Sequence, residues 1–302
     1  MTKRTVANNF LYYIFCGFSG AVTSLIVWLF LKLMGLGIGL VWDTIPSNFD
    51  FKFYPIIVCT AGGIILGIWQ KLTNAVPDEL DEVMKKVKKD KFYPYNKVLL
   101  LCVSALLPLV FGGSLGPEAG LTGVIVGLCY WAGSHMKDAK SKIPELMQIG
   151  ISTTLSAVFY APLFGLASVS EERLDSEEKP TDIRSTKLIS NIIAVLFAAG
   201  TLFLLNSIFG GSMGLPRLGY NITNFERLWG IPLALLGAVC GFLFIIASKF
   251  FGKFFALIQG KLGIIISTTL GGIILGVMGT YLPLTMFSGE ESITVIKESF
   301  AE

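Results

Sequence analysis

The sequence predicts an all-α integral membrane protein of helices that cross or partly enter a bilayer, and three observations carry that reading. Hydrophobic residues make up 53% of the 302, charged residues only 15%, and mean hydropathy is +0.69, a balance ordinary soluble domains do not have. Apolar runs long enough to cross a hydrocarbon core recur along the chain. Two short strings also recur in the same order at nearly equal offsets: Gly20-Ala21-Val22 then GGIILG at 62–67, and Gly237-Ala238-Val239 then GGIILG at 271–276. Internal duplication explains this better than chance, and repeats with interrupted helices are a usual build of transporters.

Several function classes drop out at once. A net charge of +3 implies neither nucleic-acid binding nor a polybasic partner surface. Cys16, Cys59, Cys102, Cys129 and Cys240 fall inside apolar runs without CxxC or metal-type spacing and read as small buried hydrophobes. His135, the single histidine, stands at a segment end and reads as an interfacial side chain. A membrane-embedded hydrolase needs a paired Asp, a Ser/His pair or a metal cluster, and the sequence offers no such set.

The first apolar segment, Phe10 to Met34, follows Lys3 and Arg4 and is too long for a secretory signal, so it is a retained span starting in the cytoplasm. A second span runs from Tyr54 to Trp69. The polar stretch Lys71 to Lys97 then carries an acidic run, Asp78 to Glu82, and five lysines between Lys85 and Lys91. It reads as a solvated amphipathic helix, cytoplasmic after two spans. Val98 to Phe111 is short of the ~20 residues a span needs, so the Gly-rich turn after it belongs at membrane depth. Such backbone must be buried in protein or line a wet cavity. Glu145 to Ser170 is apolar but broken at Ala161-Pro162, since proline disfavours helix for the residue before it. Glu145 itself is placed at a segment end near water. Later spans run from Leu188 to Phe209 and from Ile231 to Phe250.

The chemistry concentrates in GGSLGPEAG at 112–120. Gly116 reads as an N-cap and Pro117 as the first helical residue, where a missing N–H is no loss. Glu118 then sits in the first turn, where unpaired N–H groups and the helix dipole favour an anion, whether this carboxylate or an ion from solution. A carboxylate in lipid costs roughly 2.5–3.5 kcal/mol on insertion scales, which makes Glu118 a functional candidate. Gly116, Gly120, Gly123 and Gly127 give the helix a small-residue face, with packing sufficient to explain Gly123 and Gly127.

These residues resemble the CLC family of chloride channels and proton-coupled chloride antiporters. The family's Gly-Lys/Arg-Glu-Gly-Pro helix start is similar to Gly116-Pro117-Glu118-Ala119-Gly120, with the first Gly and the Glu kept and Pro, Ala and Gly at the other places. Ala161-Pro162-Leu163-Phe164-Gly165 followed by Glu171-Glu172 resembles the family's Ala-Pro-Leu-x-Gly segment ending in paired acids. The family's Gly-Ser-Gly-Ile-Pro falls on Thr73-Asn74-Ala75-Val76-Pro77, which makes Asn74 a substitute donor.

The resemblance implies a CLC-like bundle of inverted repeats with broken and re-entrant helices: a first repeat over 1–210 and an incomplete second over 211–302. It implies chloride or another small anion as the transported ion, by channel or antiporter. Glu118 would be the gating glutamate, Asn74, Gly116, Pro117, Ala119 and Gly120 the anion site, and Glu172 the proton-transfer residue. No cofactor or metal is implied. The expected setting is a multi-pass homodimer in the cell membrane. The family's second-repeat Gly-x-Phe-x-Pro start and later tyrosine have no counterpart before Glu302. The expectation is therefore a fragment, or a pathway completed by a second chain; the alternative function is a non-transporting remnant or an assembly subunit of a split transporter.

Overall fold

The computed structural model describes residues 3–48, 51–78, 80–90, 92–135, 142–167, 183–210, 224–258, 262–289 and 293. Every regular element among them is helical: α1 (Lys3–Ile38), a π-helical segment (Gly39–Thr44), a 3-10 turn (Pro46–Asn48), α2 (Tyr54–Thr73), α3 (Leu80–Asp90), α4 (Val98–Val110), α5 (Pro117–His135), α6 (Ile143–Val158), α7 (Ile183–Phe209), α8 (Asn224–Ala256), α9 (Gly263–Tyr281) and a 3-10 turn (Pro283–Thr285). Five stretches among the described residues are long and apolar enough to cross a membrane, in α1, α2, α7, α8 and α9.

The core forms around α6. From Ile149 to Val158 all of its residues are buried. Its threonine hydroxyls are satisfied within the helix, as burial away from water demands: Thr153 donates to Ile149 O and Thr154 to Gly150 O, both at 2.7 Å. The break foreseen at Ala161-Pro162 is present. α6 stops at Val158, Tyr160 takes a left-handed φ of 51°, and residues 162–167 turn helical again. Ser152 Oγ donates to Gly165 O at 3.0 Å and ties this second piece back to α6.

α1 packs on α6 and α7 through one stripe. Cys16, Gly20, Ser24 and Val27 are buried, while Phe18, Leu25, Leu29 and Leu33 face outward. Gly20 lies against the backbone of Ala194, leaving no room for a methyl group, and Ser24 Oγ donates to Ala198 O at 2.8 Å. Small residues and interhelical hydrogen bonds supply affinity here because apolar contact alone gives no preference over lipid.

The two GGIILG strings face each other. A methyl group on Gly63 would strike Thr268 O, and one on Gly272 would strike Cys59 O, so α2 and α9 meet backbone to backbone. The recurring sequence is thus also a recurring contact surface.

Three local expectations change. The first helix is longer than Phe10 to Met34, because aliphatic residues continue the winding through Ile38 and into the π segment. The charge run is α3, but it is not wholly solvated: Val83 and Val87 are buried against Tyr93, Met147 and Ile151. Cys240 is exposed rather than buried, since α8 shows outward-facing residues on all sides; from Leu228 to Ala256 only Phe255 is less than exposed.

Candidate functional site

The site is built on the turn between α4 and α5. Gly112 has φ +87°, a conformation that favours glycine. The carbonyls of this turn are claimed by other elements, as backbone held away from water requires. Trp42 Nε1 donates to Val110 O at 2.9 Å, Cys59 Sγ to Phe111 O at 3.4 Å and the Phe287 N–H to Gly112 O at 3.3 Å. Within the turn the Gly113 N–H closes on Pro108 O at 2.7 Å.

α5 begins at Pro117, directly after Gly116, as the sequence predicts. Glu118 is half-buried, and its carboxylate folds back over Gly116 so that a methyl group there would overlap both carboxylate oxygens. The carboxylate therefore lies at the start of α5, beside first-turn N–H groups with no i−4 acceptor. It has no hydrogen-bond partner among the described residues. Thr122 Oγ1 donates to Glu118 O at 2.6 Å and steadies the next turn.

The glycines divide by neighbour. Gly120 packs on the Ala105 methyl of α4, Gly123 under the Tyr93 hydroxyl and Gly127 against Val98. Gly123 and Gly127 are thus packing glycines, as read, and Gly120 also has a packing role. The Ala119 side chain and the pair Glu171-Glu172 lie outside the described residues.

Asn74 is the left-handed C-cap of α2 at φ 48°, ψ 38°, its N–H on Gln70 O at 2.9 Å. Its side chain is exposed and makes no hydrogen bond among the described residues. The loop it opens is firmly held. Lys97 Nζ donates to Thr73 O at 2.8 Å and Asn74 O at 3.3 Å, and buried Ser104 donates to Ala75 O at 2.6 Å while accepting from Trp69 Nε1. Asp78 accepts from Lys86 at 2.6 Å and from Tyr93 Oη at 2.9 Å. Burial, reinforced by the bond to Asp78, pushes the Tyr93 phenol above its ordinary range, so it remains a donor. Sequence reasoning missed Tyr93, Trp42 and Phe287. The signal for Tyr93 was Gly123, whose lack of a side chain makes room for a bulky neighbour.

Glu145 departs from its expected place near water. It is enclosed beside the Tyr12 hydroxyl and Cys16, and its Oε1 makes no hydrogen bond of good geometry. The N-terminal part of α1 covers it, with Lys142 Nζ 3.3 Å from the centre of the Tyr12 ring. His135 does lie at the end of α5, exposed, with Nδ1 2.9 Å from Trp131 O. A cavity of about 390 Å³ opens between the α6 break and α7, with Ser156, Tyr160 and Asn206 among its walls; Glu118 does not line it.

Residues 61–300 match the family profile described as Voltage gated chloride channel, which takes in the Gly-rich turn, Glu118 and both pieces of the α6 break. The chain belongs to the voltage-gated chloride channel family. Among curated relatives it is similar to the protein named "Putative ion-transport protein YfeO" of Escherichia coli O17:K52:H18, at 24% identity over 279 residues, 89% of this chain and 63% of the relative. It is likewise similar to the voltage-gated ClC-type chloride channel ClcB of Escherichia coli O9:H4 and of Shigella boydii serotype 18. Each is 21% identical over 244 residues, covering 79% of this chain and 55% of the relative. The chain thus spans less than two thirds of the length of these curated relatives. As a member of the voltage-gated chloride channel family with several apolar helices, it is a multi-pass, all-α, CLC-like integral membrane protein.

Proposed function

We propose that the protein carries small anions, chloride foremost, across the membrane and that Glu118 is its gate. One observation carries this reading: the Glu118 carboxylate lies over Gly116 at the start of α5, with no hydrogen-bond partner among the described residues. Favourable helix-dipole terms are worth roughly 0.3–1 kcal/mol, up to about 2 when partly buried, and do not cancel the roughly 2.5–3.5 kcal/mol of placing a carboxylate at membrane depth. A residue kept at that cost needs a role. A permeating anion is drawn to the same N–H groups and dipole as the carboxylate, so the two compete. Protonation of Glu118, or displacement by an anion, opens the way.

Gly116, Pro117, Ala119 and Gly120 form the helix start that would face the ion, and Asn74 supports the second loop. Two copies, each with its own pathway, form the proposed dimer. The repeats divide near residue 210. The reading as a non-transporting assembly subunit has no separate observation behind it, since the outward sides of α8 suit lipid as well as a partner chain.

The test is anion efflux from proteoliposomes across pH. Glu118→Ala should leave flux running with a much weaker pH response; an intact response with continuing transport would falsify the gate. Glu172→Gln decides the mode. In an antiporter it abolishes coupled proton movement while anion flux persists, because the amide keeps the shape but carries no proton. Unchanged coupling makes Glu172 an ordinary acid, and absence of any flux from wild type favours the assembly-subunit alternative.

A further inference from the structure

The turn that precedes Glu118 is gripped from outside its own helix pair. Gly39–Thr44 winds as a π-helix after α1, a form that appears in short pieces and often at functional places. The Tyr54 hydroxyl holds this winding by donating to Val41 O at 2.5 Å. It delivers the Trp42 indole to Val110 O, a carbonyl at the end of α4 that has no intrahelical donor. The indole is flanked by Tyr54 and Phe287, with ring centroids 6.0 and 5.4 Å away and interplanar angles of 89° and 82°. Edge-to-face contacts of this kind are directional as well as apolar.

Phe287 arrives from the far end of the chain, in the segment after α9. It has φ +60°, a conformation that aromatic residues seldom take, and it donates its N–H to Gly112 O. Its neighbour Met286 is buried, with its thioether over Gly279 of α9 and its terminal methyl over Gly112. A methyl group at Gly112 would also come within 3.0 Å of the Trp42 ring. Three segments far apart in sequence, 39–44, 110–112 and 286–287, therefore converge on one short turn.

We propose that Trp42 and Phe287 are positioning residues: together they clamp the Gly112–Gly116 turn and, through it, fix where Glu118 sits. Because Met286 is seated in α9, and α9 is packed backbone to backbone on α2, the clamp ties the Glu118 turn to the α2–α9 pair. Its effect on anion flux rests on the reading of Glu118 as the gate; its effect on the turn does not.

The experiment uses the full chain in liposomes, with the native cysteines replaced by serine except buried Cys59, whose thiol holds Phe111 O of the turn, and a nitroxide at Ser114→Cys. A second label at Ser134→Cys, at the far end of α5, serves as the control. Trp42→Ala and Phe287→Ala should each increase label mobility at 114 and leave 134 unchanged. Trp42→Phe, which keeps a ring and loses the N–H donor, should act in the same direction by less, and it covers the case in which Trp42→Ala does not fold. Efflux measured in parallel should lose pH response in the same order. A 114 line shape unmoved by Phe287→Ala, or equal loosening at 114 and 134, overturns the clamp. Loosening at 114 alone with an unchanged pH profile upholds the clamp and removes Glu118 from the gate.

Discussion

The starts of α5 and α6 carry nearly the same local instruction and end up with opposite surroundings. Both place a Pro-Glu pair in the first turn, Pro117-Glu118 and Pro144-Glu145. At α5 the residue before proline is Gly116, and the carboxylate folds back into the space a side chain would take. At α6 it is Ile143, which packs on Gly133, and the carboxylate is turned toward Tyr12 beneath α1. Capping chemistry sets the position of each acid along its helix. The presence or absence of one neighbouring side chain sets where its oxygens go, and so what each acid can do.

The strongest way to break this comparison is to give α5 a side chain where α6 has one. Gly116→Ala should push the Glu118 carboxylate off the helix start, so that efflux loses most of its pH response, as in Glu118→Ala. Because the methyl meets only the movable end of the Glu118 side chain, stability should stay within about 0.5 kcal/mol of wild type, read from thermal unfolding in detergent. A Gly116→Ala protein with wild-type pH response would show that the carboxylate's place over Gly116 has no bearing on transport.

A smaller effect is expected from the wall of α5. Tyr93→Phe loses the bond to Asp78, worth roughly 1 kcal/mol. Because the folded phenol is raised above its unfolded value of about 10, its contribution is complete below that pH and is lost as pH climbs toward the folded value. Wild-type stability should therefore fall above pH ~10, and the part of that slope owed to Tyr93 should vanish in Tyr93→Phe. An identical slope in both proteins would assign it to other groups.

Much of the fold was legible in the sequence because its signals are local. Apolar length located four of the five long apolar stretches, Gly263–Tyr281 not being named as a span; the short Val98 to Phe111 run located the Gly-rich turn between α4 and α5, and Ala161-Pro162 located the break. The GGIILG strings were legible as a repeat, and the structure adds that they pack on each other. Glu118 stood out because a carboxylate in apolar surroundings is costly. Trp42 and Phe287 did not, since their partnership joins residues from opposite ends of the chain through aromatic packing, and composition assigns such residues to a membrane interface. Asn74 was read as a donor from its place in a motif. Its left-handed φ shows that it first of all ends α2.

The smallest effect is expected at Glu145, and it sharpens the comparison most. A first-turn Glu after proline looked like an acid near water, yet it is enclosed beside the Tyr12 hydroxyl and Cys16. An amide of the same shape keeps an oxygen that can accept from the Tyr12 hydroxyl beside it, so little that the acid contributes would be lost. Glu145→Gln should hold stability within about 1 kcal/mol of wild type, or raise it by that amount, since the amide also brings two donors for the nearby Tyr12 oxygen. The pH response of efflux should be unchanged, because the carboxylate is enclosed under α1 rather than turned onto a glycine at a helix start. Thermal unfolding and efflux on the same preparation check both. A collapse of the pH response in Glu145→Gln with intact folding would mean that the enclosed acid, not the one over Gly116, carries the proton sensitivity.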